Sequence, residues 1–255
     1  MTVEAKLSIA GLEKSFVGRK VVSVDRLEIG RHGIEGLIGP NGAGKTTLMG
    51  LITRKLKADA GTLIYRPGGT EIDLRQMSMD QVARAGLVKT NQVIQDFETL
   101  SIRDSLRLAL APAEREQFWT VFTKRRKRDA VEAEIDEILS HFPFENPNGD
   151  ARSAGEKKLL DIIRCLLLKP KVLLMDEPTA GLPDDLTRAV MTLVQKKVAE
   201  EDLKVFIIEH DLDLIWDYCA HVNFLADGRL LCSGTPQEVK DHPVVVEKYM
   251  GVVDV

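Results

Sequence analysis

No stretch of this 255-residue sequence stays apolar and uncharged for long. A membrane-spanning helix needs roughly 18 such residues. The most apolar region, Leu159 to Met175, is interrupted by Asp161, Arg164, Lys169 and Lys171. Any service to a membrane is therefore expected from the water side, through a partner. Met1 to Ala10 holds no charged segment followed by an apolar one, so no signal peptide is read there. Cysteine is scarce. Cys165, Cys219 and Cys232 form no CxxC pair and no metal-ligand spacing. An odd, scattered set excludes a disulfide framework and fits a reducing cytoplasm. Cys165 lies in an apolar run and reads as a core thiol. A positive charge excess is also missing: the formal net charge of −4 argues against a dedicated nucleic-acid binder, and no nucleic-acid partner is expected. Proline and glycine are not enriched to the level of disordered chains, and no repeat or low-complexity tract is present.

What is present describes an ordered α/β protein. Apolar content of 44% and charged content of 29% are those of an ordinary folded domain, and the length allows a sizeable core. Strand patterns occur at Leu7 to Leu12, Val21 to Ile29 and Ile34 to Ile38, with shorter ones at Thr62 to Tyr65 and Glu71 to Leu74. The third runs into a glycine-rich turn and a helix beginning near Lys45. A helix is expected over Ser78 to Ala85. From about Ser101 to about Ile163 charge and helical periodicity dominate, as at Val131, Ile135 and Ile138, which reads as a helical insert. Val172 to Met175 and Leu203 to Ile208 are continuous apolar runs of the kind found in buried parallel strands. Strands alternating with helices imply an α/β architecture with a parallel sheet.

Two motifs carry chemistry. Gly39-Pro40-Asn41-Gly42-Ala43-Gly44-Lys45-Thr46-Thr47 fits GxxxxGK[ST] in full and sits between a strand and a helix. Glycines let the backbone curl until several N–H groups face one anion, and the helix N-terminus adds partial positive charge. In such a loop Lys45 reaches the β- and γ-phosphates of a nucleotide, and the Thr46 hydroxyl ligates Mg²⁺. The second motif is the apolar run ending in Asp176 and Glu177, at the strand end where open α/β sheets hold ligands. Asp176 suits the Mg²⁺ shell, through water, and Glu177 suits polarisation of an attacking water. A solvated acidic turn is the alternative for this pair taken alone. More than a hundred residues after a phosphate loop, the functional reading prevails.

With these motifs in place, the chain resembles the nucleotide-binding subunit of ABC transporters from about Leu7 to Gly251. The resemblance implies a P-loop NTPase core with a mainly parallel sheet, an antiparallel β subdomain and a helical subdomain inserted at approximately 101–163, within a single domain spanning 1–255. It implies that Phe16 stacks on adenine, a core phenylalanine on a strand being the alternative. It implies that Gln92 contacts Mg²⁺ and water and couples to the membrane subunit, and that His210 touches the γ-phosphate. The signature segment of the family, usually LSGGQ, is similar to Arg152-Ser153-Ala154-Gly155-Glu156. Ser153 and Gly155 keep the hydroxyl donor and small backbone that face the ATP of the opposite subunit. Arg152, Ala154 and Glu156 depart from the pattern, and Glu156 brings negative charge near a triphosphate unless it points away. Pro183 stands where most members have an Asp that connects the two ATP sites of a dimer. The complement of Lys45, Thr46, Gln92, Asp176, Glu177 and His210 is complete, so ATP hydrolysis is expected, with a slower or regulatory site in its dimer left open.

Ala180-Gly181-Leu182, Ile208-Glu209-His210-Asp211, Cys232 to Val239 and Tyr249-Met250-Gly251 are similar to the ATPases of branched-chain amino acid and urea importers. That branch implies transmembrane permease subunits, a second ATPase subunit in a homo- or heterodimer, an indirectly acting solute-binding protein, and a cytoplasmic position on the inner face of the cell membrane. A weakly hydrolysing regulatory subunit, an exporter ATPase and a soluble ABC ATPase acting on ribosomes or DNA are the other readings. The run Lys124-Arg125-Arg126-Lys127-Arg128 is read as a solvated face, with contact to anionic headgroups as the alternative. Trp216 and Tyr218 are expected to serve packing.

Overall fold

Two sheets are written into the first ninety residues by a change of apolar pattern, from alternating to continuous. The computed structural model describes residues 4–90, 100–110, 124–142, 144, 146–149 and 153–250. In β1 (Leu7–Phe16) and β2 (Arg19–Ile29), Leu7, Ile9, Leu12, Val22, Val24, Leu27 and Ile29 turn inward and the residues between them are half-buried or exposed. That is the signature of a sheet covered on one face. β3 (Ile34–Ile38) is buried at every position, as a strand with helices on both faces must be. Beyond it come α1 (Lys45–Ile52), β4 (Ala60–Tyr65), β5 (Ile72–Asp73), α2 (Met79–Arg84) and β6 (Leu87–Lys89). The β4 and β5 strands complete an antiparallel sheet in the order β2-β1-β4-β5.

The chain divides into two compact units. The first holds Met1–Lys89, Pro170–Thr179 and Val194–Val255. Its second sheet is built from β3 and β6 together with β7 (Val172–Asp176), β8 (Lys204–Ile208), β9 (His221–Ala226) and β10 (Arg229–Gly234), in the order β10-β9-β3-β8-β7-β6. All neighbours are parallel except the β9–β10 hairpin. One apolar cluster joins both sheets through α1: Leu48, Met49, Leu51 and Ile52 pack with Leu7, Leu37, Phe206 and Ile208. The unit also contains α7 (Leu212–Tyr218), where Trp216 and Tyr218 are half-buried, α8 (Pro236–Lys240), α9 (Pro243–Val245) and a closing π-helical turn over Val246–Met250. Glu35, on β3, is 1% exposed; one carboxylate oxygen accepts the Gly30 and His32 N–H groups and the other has no hydrogen-bond partner among the described residues.

The second unit covers Thr90–Lys169 and Ala180–Leu193. It holds α3 (Ile102–Ala109), α4 (Lys124–Leu139), α5 (Ala154–Leu167) and the first part of α6 (Asp184–Glu200). Ile102, Leu106, Ile135, Ile138, Leu159 and Ile163 form its buried faces at helical spacing. Arg103 and Arg107 on α3 bind the Glu132 carboxylate of α4. Among the described residues no helix is long and apolar enough to cross a membrane.

Candidate functional site

The site lies at the C-terminal edge of the mainly parallel sheet, in the first unit. β3 ends at Ile38 and the loop Gly39–Thr47 turns into α1. Gly44 caps this helix at φ 102 with no side-chain hydrogen bond, so the first-turn N–H groups are presented by the backbone alone. Two contacts require glycine here. A Cβ on Gly39 would lie 2.0 Å from the Leu225 carbonyl oxygen of β9, and one on Gly44 would lie 2.8 Å from that of Val21. The Gly228 N–H donates to the Ala43 carbonyl at 3.0 Å, and the Gly228 carbonyl accepts the Ser23 N–H at 2.7 Å. One backbone unit thus ties the loop to the antiparallel sheet.

Lys45 is 7% exposed, and its ammonium donates to the carbonyls of Gly39 at 2.6 Å and Pro40 at 3.0 Å. Burial pushes this ammonium below its ordinary value, while the Glu177 and Asp176 carboxylates pull the other way. Residues 41–47, Val21, Ile208, Glu177 and His210 line one cleft of about 290 Å³. Glu177 Oε1 meets His210 Nε2 at 2.9 Å, both side chains remaining nearly half exposed. The Glu177 backbone sits at φ 48, a conformation that costs a non-glycine residue about 1–2 kcal/mol. Its N–H donates to the Ile208 carbonyl at 2.8 Å, across to β8. Asp176 and Glu177 therefore part company at the strand end. The Asp176 carboxylate accepts from the Lys89 ammonium at 2.8 Å, the pair being 16–18% exposed.

The donor set here suits the expected Mg²⁺. Thr46 and Asp176 offer hydroxyl and carboxylate oxygens, the hard ligands Mg²⁺ prefers. No group of three His, Cys, Asp or Glu that could hold a metal occurs among the described residues. A cation that takes few protein ligands and completes its shell with phosphate and water fits this arrangement.

Other expected residues fall elsewhere. Phe16 ends β1 with 42% of its surface exposed and the Lys14 ammonium 5.4 Å from its ring centroid, so it is not a core phenylalanine. Gln92 and Arg152 lie outside the described residues. In the second unit Ser153 caps α5: its hydroxyl accepts the Glu156 N–H at 3.0 Å, and the Glu156 carboxylate accepts the Ser153 N–H at 3.2 Å. This reciprocal cap occupies the Glu156 charge locally. Gly155 follows in the first turn, where a Cβ would touch Leu182 at 3.4 Å. The Pro183 carbonyl accepts the Thr187 N–H at 2.9 Å and opens α6. Two residues of the strand-end cluster escaped the sequence reading, Lys89 and Glu209. A charged residue closing an apolar run was the available signal for each.

The family model for the ABC transporter matches residues 23–180. The chain is 30% identical over 252 residues to the high-affinity branched-chain amino acid transport ATP-binding protein BraF of Pseudomonas aeruginosa, covering 96% of this chain and 97% of that one. It is also 30% identical over 246 residues to the lipopolysaccharide export system ATP-binding protein LptB of Haemophilus influenzae, with 96% and 97% covered. The fold is similar to the crystal structure of the ADP conformation of MJ1267, an ATP-binding cassette of an ABC transporter, with a TM-score of 0.78, 27% identity, and 97% of this chain and 99% of that one covered. A phosphate loop complete in sequence and in geometry, carboxylates at the end of β7 in the same sheet, and these similarities over nearly the whole length lead to one conclusion: the chain belongs to the ABC transporter family, of which it is an ATP-binding ATPase subunit.

Proposed function

We propose that this subunit is the motor of an importer for branched-chain amino acids, urea or related small amides and acids. The observation that carries the catalytic part is the convergence of the phosphate loop, Glu177 and His210 on one cleft, with Glu177 and His210 in contact at 2.9 Å. The loop amides of residues 39–47 cradle the phosphates, and the Lys45 ammonium exchanges its carbonyl partners for β- and γ-phosphate oxygens. Glu177 polarises the attacking water for in-line displacement. His210 and Lys45 hold the charge that spreads over the transferred phosphoryl group. Thr46, Asp176 and Gln92 would hold Mg²⁺, which would supply neutralisation of the phosphate charge. Phe16 stacks on adenine, and Ser153 and Gly155 serve the nucleotide of a second ATPase subunit. The region of Gln92 meets the permease subunits, which places the chain on the inner face of the cell membrane.

The importer assignment is supported by the similarity to BraF and by the segments shared with that branch. A second reading, the ATPase of an exporter, is favoured by the equal identity to LptB. Two measurements test the proposal. Glu177→Gln is expected to lower kcat for ATP by at least about 10²-fold with ATP affinity retained; turnover equal to the parent refutes the role of Glu177. Deletion of the coding gene is expected to abolish uptake of radiolabelled leucine or urea; unchanged uptake of both, with a defect in export of envelope lipid, selects the second reading.

A further inference from the structure

Glu209 directly follows β8, and only 3% of its surface is exposed although it is an acid at a strand end. A carboxylate leaves water only where donors replace its hydration. Here three do. Oε1 accepts the Thr179 N–H at 3.0 Å and the Thr179 hydroxyl at 2.7 Å, and Oε2 accepts the His210 N–H at 3.1 Å. Thr179 stands two residues beyond Glu177, and His210 is the residue that Glu177 touches. One carboxylate thus spans the turn after β7 and the turn after β8. Bonds of this kind to an ionised acceptor are the strong ones, and burial keeps water from competing. The Glu177 backbone needs such support, because φ 48 persists only where the surroundings over-determine it.

We infer that Glu209 is a positioning residue for ATP hydrolysis: it locks the turn carrying Glu177 to the turn carrying His210 and so sets the approach of their side chains. The inference rests on the roles proposed above for Glu177 and His210. Glutamine at this position keeps shape and volume but cannot hold both turns. Its single acceptor oxygen serves either Thr179 or His210, and its NH₂ then faces a donor on the other side. Glu209→Gln therefore splits the clamp without opening a cavity.

The full chain is labelled with ¹⁵N, and the His210 ring signals are assigned among the five histidines by their loss in His210→Ala. Glu209→Gln is expected to shift the His210 ring signals in the direction produced by Glu177→Gln, leaving the other four in place. Thr179→Val, which removes one of the three donors, is expected to give a smaller shift of the same sign. In steady-state assays Glu209→Gln is expected to lower kcat at least about tenfold, given that a 1 Å misplacement of a reacting group costs about 10²-fold, with KM for ATP unchanged. It is expected to add little when combined with His210→Ala, because residues that act as a unit are non-additive. Unmoved His210 signals in Glu209→Gln overturn the inference, as does an equal loss of kcat in the parent and His210→Ala backgrounds. The underlying roles fail separately, through full turnover in His210→Ala or Glu177→Gln.

Discussion

Gly39 and Gly42 look interchangeable in the phosphate-loop motif, yet the structure sets them apart. An added methyl at Gly39 would lie 2.0 Å from the Leu225 carbonyl oxygen, whereas at Gly42 it would meet nothing within 4 Å among the described residues. Carbon and oxygen settle at about 3.3 Å even in a favourable contact, so Gly39→Ala forces roughly 1.3 Å of separation. Leu225 cannot yield freely, since its strand lies between β3 and β10. Overpacking costs about 1–3 kcal/mol and a disturbed ladder bond adds about 1 kcal/mol. The expected loss of stability is therefore about 2–4 kcal/mol. Displacing the loop by an ångström is expected to weaken ATP turnover by about 10²-fold as well. Gly42→Ala has only its φ of 81 to overcome, about 1–2 kcal/mol. Urea unfolding followed by far-UV circular dichroism gives the two stabilities, and binding of a fluorescent ATP analogue reports on the loop. Equal destabilisation by the two variants, or a loss below about 1 kcal/mol for Gly39→Ala, refutes the steric reasoning.

Thiol labelling with a disulfide reagent at pH 8 is expected to modify Cys232 alone in the folded chain, and all three cysteines in urea. Cys165 and Cys219 are buried and burial pushes their thiols up, Cys219 to about 12. Burial also raises the Glu35 carboxyl above its ordinary 4.5. The folded state then binds more protons than the unfolded one between the two values. This contribution is present below pH 4.5 and is lost as pH rises through the raised value. Glu35→Gln is expected to flatten that fall in urea midpoints measured against pH; a parallel profile counts against it. Ser153→Ala is expected to cost about 1 kcal/mol through loss of the α5 cap, with Glu156→Gln close to neutral because glutamine completes the same capping box. A larger loss for Glu156→Gln would show that its charge matters to the fold.

The elements that the sequence made legible are those specified by near neighbours. The phosphate loop, the apolar run into Asp176 and Glu177, and the helix begun at Ser78 each follow from residues a few positions apart, and the capping box at Ser78 and Gln81 is a local device. Boundaries slipped where backbone and side chain compete. The strand expected over Glu71 to Leu74 shrinks to Ile72–Asp73, because the Asp73 side chain accepts the Arg75 N–H and starts a 3-10 turn. The first strand outruns Leu12 and carries Phe16 to its exposed end. Glu209 and Lys89 stayed hidden for a different reason. Their partners Thr179 and Asp176 lie 30 and 87 positions away, brought close only by the parallel order of β6, β7 and β8.

The bond from Gly228 to Ala43 has a bearing on biogenesis. The phosphate loop is complete as a string of residues once Thr47 has been made, but the hairpin that braces it follows only after β7 and β8 have been made. At ordinary rates of about 5–20 residues per second, roughly ten seconds or more separate the two events. Throughout that interval the ribosome holds a nascent chain whose nucleotide cradle has its motif and not its backing.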